Sequence, residues 1–252
     1  MILYEEEQDK DIRKKLEQQF VRMIDKANSI TAFYPSSVIS MCFYHIAQGQ
    51  SKAAEEVLKA AKNQVNQDEA TIRNKPLMLL VRAIIDYNKG NVKESLASLK
   101  EMVMENPHSP PDIWFAIGLC HLNLGDLTRA KFSFEKTISL DPKNSMALTS
   151  LGIIELKKNV KQFEVRKEAA KYFEEGFKAN PRNPLVLKYL ADHYFFQREY
   201  SITRNLCQFG IENLRVKQKA DQNDATIRSD LNLLKADFQF ILGKVAHCQQ
   251  NF

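Results

Sequence analysis

Residues 110–144, PPDIWFAIGLCHLNLGDLTRAKFSFEKTISLDPKN, constrain the fold more tightly than any other stretch of the chain. Trp114, Ile117 and Gly118 share one face of a first helix, Gly125 and Asp126 make a turn, and Ala130, Phe134 and Pro142 mark a second helix. Gly118 carries no side chain, so the second helix can come close. Ala130 is small for the same reason, Phe134 fills the space beside it, and Pro142 cannot continue a helix. One helix pair of this kind leaves apolar faces uncovered, so the remaining sequence must supply further pairs to stack on it.

The glycines and prolines carry that register along the whole chain. With Gly118 at position 8, Gly152 and Gly243 also fall at position 8, Gly49, Gly90 and Gly125 at position 15, and Gly176 and Gly210 at position 27. Pro35, Pro76, Pro107, Pro110, Pro111, Pro142, Pro181 and Pro184 all fall between repeats or at repeat starts. There a proline costs a helix least. The spacing is the 34-residue period of the tetratricopeptide repeat, a helix-turn-helix unit. It predicts an all-α chain, a single tetratricopeptide-repeat solenoid wound as a right-handed superhelix. Repeats are expected at 35–68, 76–109, 111–144, 145–183 and 184–217, a half-repeat at 9–30 and a truncated half-repeat at 225–252. The 9–30 helix should bury Ile12, Leu16, Phe20, Ile24 and Ala27 as one stripe. The polar runs 69–75 and 218–224 read as loops, and the fourth full repeat takes its extra length in a charged turn at 157–167. Beginning and ending within repeats, the sequence reads as a piece of a longer array.

Chemistry-bearing motifs are absent. The five histidines have no HxH or HExxH spacing, so no metal site is expected. Gly243-Lys244 lacks the glycine run of a phosphate loop, and there is no GxGxxG or GxSxG. The reading is non-enzymatic, with no cofactor. Cys42, Cys120, Cys207 and Cys248 lie far apart with no CxxC pair, which suits a reducing compartment. No run approaches a membrane span. A net charge of +5 with acids and bases interspersed gives no basic stripe, so direct nucleic-acid binding is not expected.

In stacked repeats of this type, positions 2, 5, 9 and 12 of each first helix face inward. Here they place Ile39, Phe43, Leu80, Ile84, Phe115, Leu119 and Ile153 on one apolar inner face. Two readings are open: these side chains glue neighbouring first helices together, or they form a groove for an apolar peptide or helix. The basic turn, Lys157, Lys158, Lys161, Arg166 and Lys167, reads as a solvated loop or as a patch for an acidic partner. Groove positions that in co-chaperones hold basic residues and asparagines carry Ile39, Phe43, Leu77 and Val81, so no carboxylate clamp for a chaperone tail is present.

The run ANPRNPLVLKYLADHYFFQREYS at 179–201, and GLCHLNLGDLTRAKFSFEKTISLDPKNSMALTSLGIIELKKN before it, are more specific than a generic repeat. They resemble the large tetratricopeptide subunit of the RNA polymerase II-associated factor complex, most clearly over 107–207. That resemblance implies a non-catalytic nuclear scaffold whose partners are other subunits of a transcription-elongation complex linked to histone modification. The alternative is an adaptor of the same fold in RNA-processing, cell-cycle or glycosylation machinery.

Overall fold

A computed structural model describes residues 2–30, 35–62, 69–158, 163–220 and 225–250, and these form twelve helices and no strand. The chain divides into two units, Met1–Met102 and Val103–Phe252. The first contains α1 (Ile2–Ile30), α2 (Pro35–Ala47), α3 (Ser51–Lys62), α4 (Glu69–Asn88) and most of α5 (Val92–Glu105). The second contains α6 (Pro111–Asn123), α7 (Leu127–Leu140), α8 (Ser145–Lys158), α9 (Phe163–Ala179), α10 (Pro184–Phe196), α11 (Tyr200–Ala220) and α12 (Ala225–Gln250). None of the described helices is long and apolar enough to cross a membrane.

Among the described residues, the turn inside a repeat is built the same way four times. Gly49, Gly90 and Gly125 adopt φ values of 73°, 84° and 80°, the left-handed region that ends a helix cheaply only without a Cβ. The next residue's N–H then reaches back five residues, Gln50 to His45 O, Asn91 to Asp86 O and Asp126 to His121 O, at 2.8–2.9 Å. Arg198 takes the same place in the α10–α11 turn at φ 65°, with Glu199 N–H donating to Tyr194 O. The turns between repeats also recur. Asn106, Asp141 and Asn180 each accept, through a side-chain oxygen, the N–H two residues on (His108, Lys143, Arg182).

Unit 2 is a chain of neighbours, each helix packing on the next, with α8 on α10 and α10 on α12 as second neighbours. A Cβ built on Gly118 would stand 2.5 Å from Phe134 Cε1, and one on Gly152 would stand 2.5 Å from Phe173 Cε1. Both rings are buried. Gly210 receives Phe238 of α12 just as closely, at 2.4 Å, whereas Gly176, its counterpart in register, meets the smaller Val186 at 3.3 Å. Gly243 shares position 8 with Gly118 and Gly152, yet nothing lies within 4 Å of its Cβ direction. A polar clasp joins three helices. Buried Asn183, the N-cap of α10, accepts from Leu185 N–H, while its amide donates to Ser145 Oγ (3.1 Å) and Met146 Sδ (3.3 Å). Ser145 Oγ in turn donates to Gly176 O of α9 (2.9 Å).

In unit 1, α2 packs on α1, α3 and α4 around Val38, Ile39, Cys42, Ala54, Ala61, Val81 and Ile85. Glu55 of α3 pairs with Lys59 and with Lys89.

Several expectations need correction. Residues 69–75 are helical, not a loop, and Pro76 sits inside α4. A proline removes its own N–H bond, here the one toward the Ile72 carbonyl, and its ring crowds that carbonyl, yet a helix can still carry the turn before it. Part of the 218–224 break is helix, because α11 runs to Ala220; residues 221–224 lie outside the described residues. Likewise α9 begins at Phe163, so the long charged turn is largely helical, with 159–162 outside the described residues. The first helix starts at Ile2 rather than at residue 9, and its stripe is buried only toward its C-terminal end. Phe20 lies 5.5 Å from the Tyr44 ring and Ile24 is buried, but Ile12 and Leu16 are exposed.

Candidate functional site

Unit 2 contains a cavity of about 420 Å³ lined by Ile153, Leu156 and Lys157 of α8, Arg166 and Phe173 of α9, Tyr189, Asp192, His193 and Phe196 of α10, and Lys244 of α12. The spacing explains how one helix contributes four lining residues. Tyr189, Asp192, His193 and Phe196 stand at i, i+3, i+4 and i+7, one stripe of α10. Ile153, Asp192 and Lys244 are each position 9 of their first helix, so the register itself brings them to one side.

The walls are aromatic and aliphatic. Tyr189 stacks on the buried Phe173 ring with centroids 5.0 Å apart and planes 7° from parallel. The Arg166 guanidinium lies 3.7 Å above the Phe196 ring, and Phe196 is 56% exposed, so this cation–aromatic ledge faces solvent. Lys244 Nζ lies 4.7 Å from the Phe240 centroid and 3.8 Å from Asp192 Oδ1. Lys188 and Asp237 close a tighter pair beside it at 2.6 Å.

Burial raises the Asp192 carboxyl above its ordinary range, against the opposing pull of Lys244, Lys188 and Arg166. Burial lowers His193, with Arg166 acting in the same direction and Glu174 against it. The Gln197 amide and His193 Nε2 share a hydrogen bond of 2.8 Å. For Lys188, burial acts downward, but the hydrogen bond and charge of Asp237 outweigh it and the ammonium is held above its usual value. The arrangement can receive an apolar group and complement a negative charge. No group of three or more His, Cys, Asp or Glu side chains among the described residues is placed to hold a metal ion.

Of the residues expected at a site, Ile153, Lys157 and Arg166 meet at this cavity. Lys167 is exposed on α9 and does not line it; the Lys158 side chain and Lys161 lie outside the described residues. Phe115 and Leu119 are half-buried in unit 2 against the cluster of Ala130, Phe134, Leu151 and Ile154, with the Phe115 ring 5.5 Å from Phe134. In unit 1, Phe43, Leu80 and Ile84 are half-buried, while Ile39 is 5% exposed and belongs to the core. Tyr189, His193, Phe196 and Lys244 were not singled out from sequence. Their signal was the i, i+3, i+4, i+7 stripe of α10 and the position-9 place of Lys244.

The tetratricopeptide-repeat family profile matches residues 111–144. The chain is 29% identical over 198 residues to the Arabidopsis thaliana protein CTR9 homolog, covering 77% of this chain and 17% of that protein. It is 26% identical over 192 residues to the Caenorhabditis elegans RNA polymerase-associated protein CTR9 (76% and 15%). Against the Saccharomyces cerevisiae protein of the same name it is 33% identical over 131 residues (49% and 12%). The chain thus spans between 12 and 17% of the length of these relatives. Among solved structures, yeast Tom70 superposes with a TM-score of 0.63 at 14% identity over 90% of this chain and 43% of that one. A chain of the APC/C hetero-tetramer Cut9–Hcn1 gives 0.62 at 15% identity over 89% of this chain and 40% of that one. These two likenesses bear on the fold alone. The chain is therefore a tetratricopeptide-repeat solenoid, similar over about three quarters of its length to proteins named CTR9.

Proposed function

We propose that this chain is part of a non-catalytic scaffold in a nuclear RNA polymerase II-associated elongation complex, holding segments of partner subunits against the inward positions of its first helices. The observation that carries the reading is the similarity to CTR9 proteins across 77% of the chain. Half-buried apolar side chains at repeated inward positions support the docking role, since Phe43, Leu80 and Ile84 in unit 1 and Phe115, Leu119 and Ile153 in unit 2 keep part of their surface open. The link to histone modification follows from the same reading of the complex.

The test is affinity capture from nuclear extract with the full-length protein, read by mass spectrometry, for wild type, Leu80→Glu and Phe115→Glu. Recovery of polymerase-associated subunits by wild type, lost in a variant with normal melting, is the expected result. Recovery of an unrelated assembly would overturn the reading. A variant that melts normally and keeps every partner would remove the inward face from it.

A further inference from the structure

The cavity between α8, α9, α10 and α12 has a chemistry more specific than an apolar groove. We propose that it anchors a partner segment presenting a carboxylate side chain beside an aromatic or long aliphatic one. This deepens the scaffold reading and rests on it for the idea that partner segments reach this side of the repeats.

Charge complementarity selects this occupant. Three cations, Lys157, Arg166 and Lys244, line the cavity against one carboxylate, Asp192. The nearby Lys188 and Asp237 neutralise one another. Lys244 stands 3.8 Å from Asp192 Oδ1, long for a charge-assisted hydrogen bond, and its side chain is about one-third exposed. Lys157 is exposed at the rim. An incoming carboxylate would therefore meet positively charged groups on three helices. Between them run Ile153, Leu156, Tyr189 and the Arg166–Phe196 ledge, an apolar floor for a neighbouring side chain. At about 420 Å³ the space lies within the range of small binding pockets and holds a few side chains, not a folded surface.

A nucleic-acid strand fits less well, although aromatic faces and cations are both present. Asp192 lies in the lining and would repel a phosphate track, and the cations cluster at one pocket rather than along a groove.

The experiment uses the whole 252-residue chain and fluorescein-labelled twelve-residue peptides in a Ser/Ala background. Their centres carry Glu-Phe-Glu, Gln-Phe-Gln or Glu-Ala-Glu, and binding is followed by fluorescence anisotropy at low and high salt. Saturable binding of the Glu-Phe-Glu peptide is expected, with each of the other two about fivefold or more weaker and affinity falling with salt. Lys244→Glu and Arg166→Glu should each weaken it about tenfold. Phe196→Ala should weaken it severalfold while leaving the melting curve unchanged, which guards against a charge variant that merely unfolds. Equal affinity for Gln-Phe-Gln, no saturable binding, indifference to both Phe196→Ala and Lys244→Glu, or displacement of the peptide by a twelve-nucleotide oligouridine would each overturn the proposal. Peptide failure alongside successful capture of polymerase-associated subunits sinks the pocket and spares the scaffold. Peptide success with failed capture does the reverse.

Discussion

Replacing Gly118 and Gly243 by alanine is one chemical change at the same repeat position, and the structure predicts opposite outcomes. At Gly118 the new methyl would sit 2.5, 2.7 and 2.9 Å from three carbons of the Phe134 ring. Carbon atoms rest at roughly 3.5–4.0 Å, so the ring or the helix must withdraw by about 1 Å. Phe134 is fully buried against Ala130, Leu151 and Ile154 and has no open side to move into. Overpacking of this kind costs about 1–3 kcal/mol, while alanine's better helix propensity returns about 0.5–1 kcal/mol. The net expectation for Gly118→Ala is a loss of roughly 0–2.5 kcal/mol. At Gly243 nothing lies within 4 Å, so only the propensity gain of about 0.5–1 kcal/mol remains. Urea titration followed by far-ultraviolet circular dichroism reads both. Trp114, the single tryptophan, lies one turn from Gly118 on α6 and reports that helix pair by fluorescence. Adding Phe134→Leu to Gly118→Ala should relieve the penalty, a favourable coupling of about 0.5–3 kcal/mol. A rise in midpoint for Gly118→Ala matching that of Gly243→Ala would refute the reasoning.

Arg198→Gly should stabilise the chain by about 0.5–1 kcal/mol in thermal melts, because φ 65° is strained for a residue with a Cβ; a lower midpoint would mean that contacts of the arginine outweigh the strain. Asn183→Ala should cost about 2 kcal/mol by removing an N-cap and leaving Ser145 without its donor, whereas Asn183→Asp keeps the cap oxygen and should cost less; equal losses would deny the cap oxygen any role. Burial pushes the thiols of Cys42 and Cys207 up to about 11 and about 12, and Cys120 is buried too, so a thiol reagent at pH 8 should modify only Cys248 in the native protein, counted by mass spectrometry. Lys89 first, then Lys59, holds the Glu55 carboxyl at about 2. A folded-state value below the unfolded one gives stability that is complete above about pH 4.5 and lost as pH falls toward 2. Melting temperatures of Glu55→Gln should therefore fall less steeply than wild type across that window.

The sequence made the repeat legible because its demands fall on residue types with few substitutes. A left-handed turn wants glycine, and Gly49, Gly90 and Gly125 mark three of them. Arg198 marks the fourth invisibly, since nothing in an arginine announces a positive φ. Pro76 misled for the complementary reason: proline usually opens a helix, and only the backbone shows a turn retained before it. Ile39 and Phe43 are one helical turn apart and equally apolar. Yet Ile39 lies inside the cluster that Val81 and Ile85 of α4 complete, while Phe43 packs against its edge, a difference no local pattern states. The cavity was partly legible, since Ile153, Asp192 and Lys244 follow from the register. Its aromatic walls depend on where α9 and α10 meet, as the stacked Phe173 and Tyr189 rings show.

The neighbour-to-neighbour packing of unit 2 also bears on how the chain is made. Among the described residues its principal helix contacts join elements one or two apart along the sequence, so its core can form without waiting for a distant segment. A ribosome delivers roughly 5–20 residues per second, slowly compared with the pairing of two helices. The α6–α7 pair, with Phe134 seated on Gly118, can close as soon as it clears the exit tunnel, and each later helix then docks on a surface already formed. Synthesis in vectorial order thus matches assembly in spatial order, and the apolar face each pair leaves uncovered waits only for the next pair to emerge.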